Sequence, residues 1–162
     1  MFQRLLLAID SSDAGPVATS FAIALATRVT AVRVVHVNQY QIGGRGLTIE
    51  TGAEASQIAR CALVELLAAD VPATGIVCQS TCLGVADGIV AEADRWAADV
   101  IVLGSRRHRG LSRVMSQGVR ARVIRLSQLP VLTAPAPLKV SRRPGRERLS
   151  ARAQHGRSAL PS

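Results

Sequence analysis

Two short segments hold the residue types that could handle an anionic ligand. The first is Gly104-Ser105-Arg106-Arg107-His108-Arg109-Gly110, directly after the apolar run at residues 100–103. A glycine at a strand end lets a ligand come close to the backbone. A helix beginning near Leu111 would offer free N–H groups to an anion. Arg106, Arg107, Arg109 and Arg113 would neutralise a polyphosphate, and His108 could add a contact to it. The second segment is Asp10-Ser11-Ser12-Asp13, after the apolar run at residues 5–9. Its side chains suit a helix cap. In open α/β sheets, ligands sit beyond the carboxyl ends of strands where the strand order reverses.

Neither segment is a standard phosphate loop. A Walker loop needs a second glycine five places after the first, followed by Lys and Ser or Thr, but Arg109 stands at that position. The dinucleotide fingerprint needs a glycine cluster after the first strand, where Asp-Ser-Ser-Asp is found instead. No pair of carboxylates and no Ser-His-Asp set can be read, so no hydrolytic machinery is argued. His36 ends an apolar run and reads as packed. Plainer readings stay open: Gly104 as a strand-end turn, Asp10 as a cap, the arginines as a solvated helix face. Arg113 and Arg120 share a side of the expected helix, whereas Arg122 and Arg125 point elsewhere.

Alternating strand and helix patterns must position these residues. Strands are expected at 5–9, 32–37, 76–78, 100–103 and 130–133, mostly as apolar, β-branched runs suited to burial on both faces. Helices are expected between them. Val17, Phe21 and Leu25 mark the first; Ile58, Ala62 and Leu66 the second; Ile89, Ala93 and Trp96 the third; Val119, Val123 and Leu126 the fourth. Pro16 fits a first helical turn. The order βαβαβαβαβ implies a parallel sheet with helices on both faces. A polar stretch at 38–50, with Gly43, Gly44 and Gly46, is longer than most such connections and could cover a site. Residues 1–138 read as one domain. Residues 139–162, rich in Pro, Arg, Ser and Gly, read as a disordered extension.

Composition narrows the class further. The chain is 48% hydrophobic but only 2% aromatic, so Val, Ile, Leu and Ala must build the core. The formal net charge of +9 is concentrated in two places. Residues 139–162 hold seven bases and one acid, and residues 106–125 hold seven bases and no acid. An acidic partner or nucleic acid would suit the tail, although it lacks aromatics to stack bases. Cys61, Cys78 and Cys82 have no C-x-x-C spacing and read as reduced thiols of a cytoplasmic protein. No run approaches the length of a membrane span.

Taken together, three segments resemble the universal stress protein family. Asp99-Val100-Ile101-Val102-Leu103-Gly104-Ser105-Arg106 looks like its D-hhVhGSR signature. Leu6 to Ser12 is similar to its opening strand and turn, and Leu129-Pro130-Val131-Leu132 to its last strand. The resemblance implies a five-stranded parallel sheet of order 3-2-1-4-5, Rossmann-like, with the reversal beside Asp10 and Gly104. It implies an adenine nucleotide, ATP or AMP with Mg accompanying ATP, held by Asp10, Ser11, Val37, Leu103, Gly104, Arg106, Arg107, Gln117, Gly118 and Val119. Asp10 would lie at the adenine end. It also implies a homodimer through Val131, Leu132 and Thr133. The ATP-binding members carry G-x2-G-x9-G-[ST]. Here Gly104 fits, Arg107 and Gln117 replace the second and third glycines, and Gly118 is displaced by one place. A member that binds no nucleotide and acts through protein partners, or a slow ATPase, remains an alternative.

Overall fold

The computed structural model describes residues 2–40, 48–104 and 113–135, with the side chains of 113–117 excepted. Five strands and four helices alternate in the expected order. They are β1 (Arg4–Ile9), α1 (Ala14–Leu25), β2 (Ala31–Tyr40), α2 (Gly52–Ala68), β3 (Ala73–Thr81), α3 (Val85–Arg95), β4 (Val100–Leu103), α4 (Arg113–Leu126) and β5 (Val131–Thr133). All strand pairs are parallel, and the sheet order is β3-β2-β1-β4-β5.

The period-2 alternation of strand side chains splits the core into two layers. Leu5, Leu7, Ile9, Val32, Val34, Val100 and Val102 lie on one face, packed with Ala18 and Ala22 of α1 and Ala62 and Leu66 of α2. Leu6, Ala8, Val35, Val37, Ile101 and Leu103 lie on the other, packed with Ala86, Ile89 and Ala93 of α3 and Val123 of α4. Strands buried on both sides need apolar residues at every position, which is why β1 and β4 read as unbroken runs. Right-handed crossovers account for the helix placement: connections running toward β3 put helices on one face, and those running back toward β5 put them on the other. The alanines on α1 and α2 bring these helices close to the sheet, so the core needs few aromatics. Phe2 and Phe21 only flank it.

Element boundaries differ from the expected ones where polarity interrupts the apolar signal. β3 extends well beyond 76–78 because it is an edge strand, and Thr74 and Gln79 reach solvent there. β2 continues through Asn38, Gln39 and Tyr40, residues that the apolar criterion assigned to a loop. Tyr40 bridges Thr48 in antiparallel fashion, and the Ile49 amide donates to the Gln39 carbonyl at 2.8 Å. Most of the expected covering loop (41–47) lies outside the described residues, as do the Arg106–Arg109 loop and residues 139–162. Trp96 caps α3 rather than continuing it, and Ala97 follows at φ 53° to end the helix. α2 starts with a reciprocal capping box. The Glu54 amide donates to Thr51 Oγ1 at 3.2 Å, and the Thr51 amide donates to Glu54 Oε2 at 2.7 Å. The bond from the Thr51 backbone amide, and after it the Thr51 side chain, hold the Glu54 carboxyl below its ordinary range.

Candidate functional site

The strand order reverses at β1, whose neighbours are β2 and β4. Connections leave β1 and β4 on opposite sides, so a crevice opens at their carboxyl ends. In register, Ile9 lies opposite His36 and Ala8 opposite Leu103. The Asp10 turn and Gly104 therefore emerge side by side, although 94 residues separate them in sequence.

The turn after β1 is organised by its own side chains. The Ser12 amide donates to Asp10 Oδ1 at 2.9 Å, an Asx turn, and the Ser12 hydroxyl donates to the same oxygen. The α1 cap differs from the sequence expectation. Asp13 occupies the N-cap position without a side-chain cap, and Ser12 Oγ accepts from the Ala14 amide at 3.3 Å. Asp10 is thus the hinge of the turn rather than the cap itself. Both Asp10 and Ser11 are exposed at the crevice mouth.

Gly104 is closely packed. A Cβ there would lie 3.2 Å from both the Cβ and the carbonyl oxygen of Ala14, tighter than an ordinary contact. This glycine brings the end of β4 against the start of α1 and so narrows the crevice floor. Val37 and Leu103 are buried in the core layer below, and Val119 of α4 packs partly against the same layer. Gly118 is exposed, and a Cβ there would meet nothing within 4 Å. Gln117 belongs to α4, but its side chain is outside the described set, and Arg106 and Arg107 lie outside it altogether. Of the arginines on α4, Arg122 is committed to Asp87 of α3 at 3.0 Å. Among the described residues no group of three His, Cys, Asp or Glu could hold a metal ion.

A polar cluster beside the crevice was missed by sequence reasoning. His36 is indeed packed, but it is not surrounded by apolar groups alone. Its Nε2 lies 2.6 Å from Glu50 Oε2, and its Nδ1 lies 3.2 Å from the Ile9 carbonyl oxygen. Asn38 Nδ2 donates to the Glu50 carbonyl at 2.9 Å. The available signal was the spacing of His36 and Asn38, two polar residues on one face of an otherwise apolar strand.

The cysteines are all free thiols. Cys61 and Cys82 are exposed. Burial, and then the nearby Glu92 carboxylate, push the Cys78 thiol above its ordinary value, with Arg95 partly opposing. No described helix is long and apolar enough to cross a membrane.

A five-stranded parallel sheet in this order, with a crevice at the reversal, defines a Rossmann-like α/β protein. The family model for the universal stress proteins matches residues 1–135, and the chain belongs to the universal stress protein family. Solved structures agree. A universal stress protein from Archaeoglobus fulgidus superposes with a TM-score of 0.64 at 25% identity, covering 83% of this chain and 100% of that one. A structure of the universal stress protein from the same organism in complex with dAMP gives a TM-score of 0.63 at 24% identity, over 82% of this chain and 98% of that one. A family protein from Arabidopsis thaliana with AMP bound gives 0.57 at 15% identity, over 85% and 93%. No curated protein matches the sequence.

Proposed function

We propose that this universal stress protein is a regulatory binding protein that takes an adenine mononucleotide at the carboxyl ends of β1 and β4. The observation that carries this reading is the meeting of the Asp10 turn and Gly104 at the carboxyl ends of β1 and β4, where the strand order reverses. Two similar folds hold dAMP and AMP, which supports the same ligand class here. In this reading Asp10, Ser11 and Val37 line the base end. Leu103, Gly104 and Val119 form the floor. Gly118 lies toward the phosphate end, to which the family resemblance also assigns Arg106, Arg107 and Gln117. Arginine at the second glycine position of the ATP motif adds a cationic phosphate partner where the motif has a glycine.

Equilibrium binding of AMP and ATP, with and without magnesium, tests this reading. Micromolar AMP binding is the expected result. Gly118→Leu adds a side chain into open space on α4, so the fold should persist while AMP affinity falls by roughly tenfold or more, about 1.4 kcal/mol, as that side chain fills the approach to the crevice. Absence of binding up to millimolar AMP would overturn the reading, in favour of a family member acting through protein partners.

The same proposal includes a homodimer through β5. Among the described residues β5 is an edge strand with one side unpaired in the sheet, and Val131 and Leu132 are only half-buried. Ile124 and Leu126 of the preceding helix are exposed large apolar residues. An unprotected edge beside apolar surface invites pairing with a second copy. Light scattering at micromolar concentration should give twice the 17.1 kDa chain mass. Leu132→Arg should return the monomer. A monomeric wild type would remove the dimer from the proposal.

A further inference from the structure

His36 is 2% exposed, and both of its ring nitrogens face oxygen acceptors. A neutral imidazole carries one N–H. It can donate to Glu50 or to the Ile9 carbonyl, but its other nitrogen then aims a lone pair at an oxygen. The imidazolium donates to both. A proton on Glu50 with the Nδ1–H tautomer of His36 satisfies the same geometry. In either form the arrangement holds one proton more than neutral histidine plus carboxylate.

Glu50 immediately precedes Thr51, the N-cap of α2. The contacts from Ile9 and His36, with the Asn38–Glu50 bond, tie the ends of β1 and β2 to the chain leading into α2. Oδ1 of Asn38 is buried without a hydrogen bond. That cost is borne only while the segment stays docked, because a released Asn38 would meet water.

The ionisable groups on the elements around His36 are mostly acidic. Asp10 and Asp13 follow β1, Glu50 leads into α2, and Glu54 is engaged by Thr51. α1 carries no charge. Further along α2, Arg60 and Glu65 are exposed. β3 places uncharged Val77 opposite His36.

We propose that the His36–Glu50 pair is a proton-dependent tether for the start of α2, docked while the pair shares a proton and loosened as pH rises. The sign follows from proton count: the docked state binds the extra proton, so higher pH favours release. Val37 lies between His36 and Asn38. If the nucleotide reading above holds, on which this one consequence rests, AMP affinity falls with rising pH as well.

Amide hydrogen exchange over residues 48–56 of the full chain tests the tether between pH 6 and 8.5, after correction for intrinsic exchange. Wild-type protection should fall roughly tenfold across that range, the loss of one charge-assisted hydrogen bond. Glu50→Gln offers the ring a neutral group that can accept or donate, so its profile should be flat. His36→Ala should lose protection at every pH. If that variant does not fold, the Glu50→Gln comparison decides. Wild-type protection that does not change with pH, or a Glu50→Gln profile that follows wild type, would overturn the tether. An AMP titration in parallel separates the two readings, because failure to bind AMP leaves the exchange result intact.

Discussion

Glu92→Ala should lower the stability of the fold by about 3–5 kcal/mol, the usual cost of removing one partner of a buried ion pair. Glu92 is 1% exposed on α3. Its carboxylate accepts from Arg33 of β2 at 2.9 Å and from Arg95 one helical turn on. Arg95 is 67% exposed, and its pair is worth little in solvent. Arg33 is the partner that matters. Its guanidinium also lies 5.1 Å from the centre of the Trp96 ring, with Arg4 at 5.7 Å from the same ring. Removing the carboxylate leaves the partly buried Arg33, 26% exposed, with only the Trp96 ring and a 3.3 Å bond from its Nε to Thr74 Oγ1. Urea unfolding followed by circular dichroism, with the single Trp96 as a second probe, measures the change. A loss under about 1 kcal/mol would mean that Arg33 escapes to water and that the pair is a surface feature.

Leu7→Ala should cost about 2–5 kcal/mol. Leu7 is fully buried in β1, between Val34 of β2 and Val102 of β4. Its face is covered by α1 and α2, which bury Ala18, Ala22, Ala62 and Leu66 there. The three alanines have no side chain to swing into the space, so the cavity closes only if a larger neighbour repacks. The same unfolding experiment reads the effect, and a loss below about 1 kcal/mol would show that the helices collapse onto the sheet. The consequence reaches the site, because β1 delivers the Asp10 turn to the crevice just beyond Leu7. AMP affinity, where present, should fall in step with stability in this variant. In Gly118→Leu it should fall without any loss of stability.

The candidate site is partly legible in the sequence. Asp10 and Gly104 stand out because polar or small residues end apolar runs, and those ends are where a parallel sheet exposes backbone. The reason for Gly104 is not legible there. A glycine at a strand end serves a close ligand or a close helix equally well. Only the 3.2 Å approach of Ala14 assigns it to packing in this fold. Asp10 divides in the same way: a cap, a turn and a ligand contact use one residue type, and the two bonds with Ser12 establish its part in the turn. His36, Asn38 and Glu50 are invisible as a group. Each looks ordinary in its own segment, and their meeting depends on how the chain returns from Tyr40 to Thr48.

Local pattern by itself determined the element order and the parallel class of the sheet. Apolar β-branched runs and four-residue spacings are short-range signals, carried by neighbouring side chains and backbone preference. It also determined that alanine and aliphatic residues would build the core. The tertiary structure alone decided which distant residues meet. Arg33 reaches Glu92 across 59 positions, and His36 reaches Ile9 across 27. These contacts follow from strand register, from crossover handedness and from the face on which each helix lands. None of these is encoded in the residues between the partners.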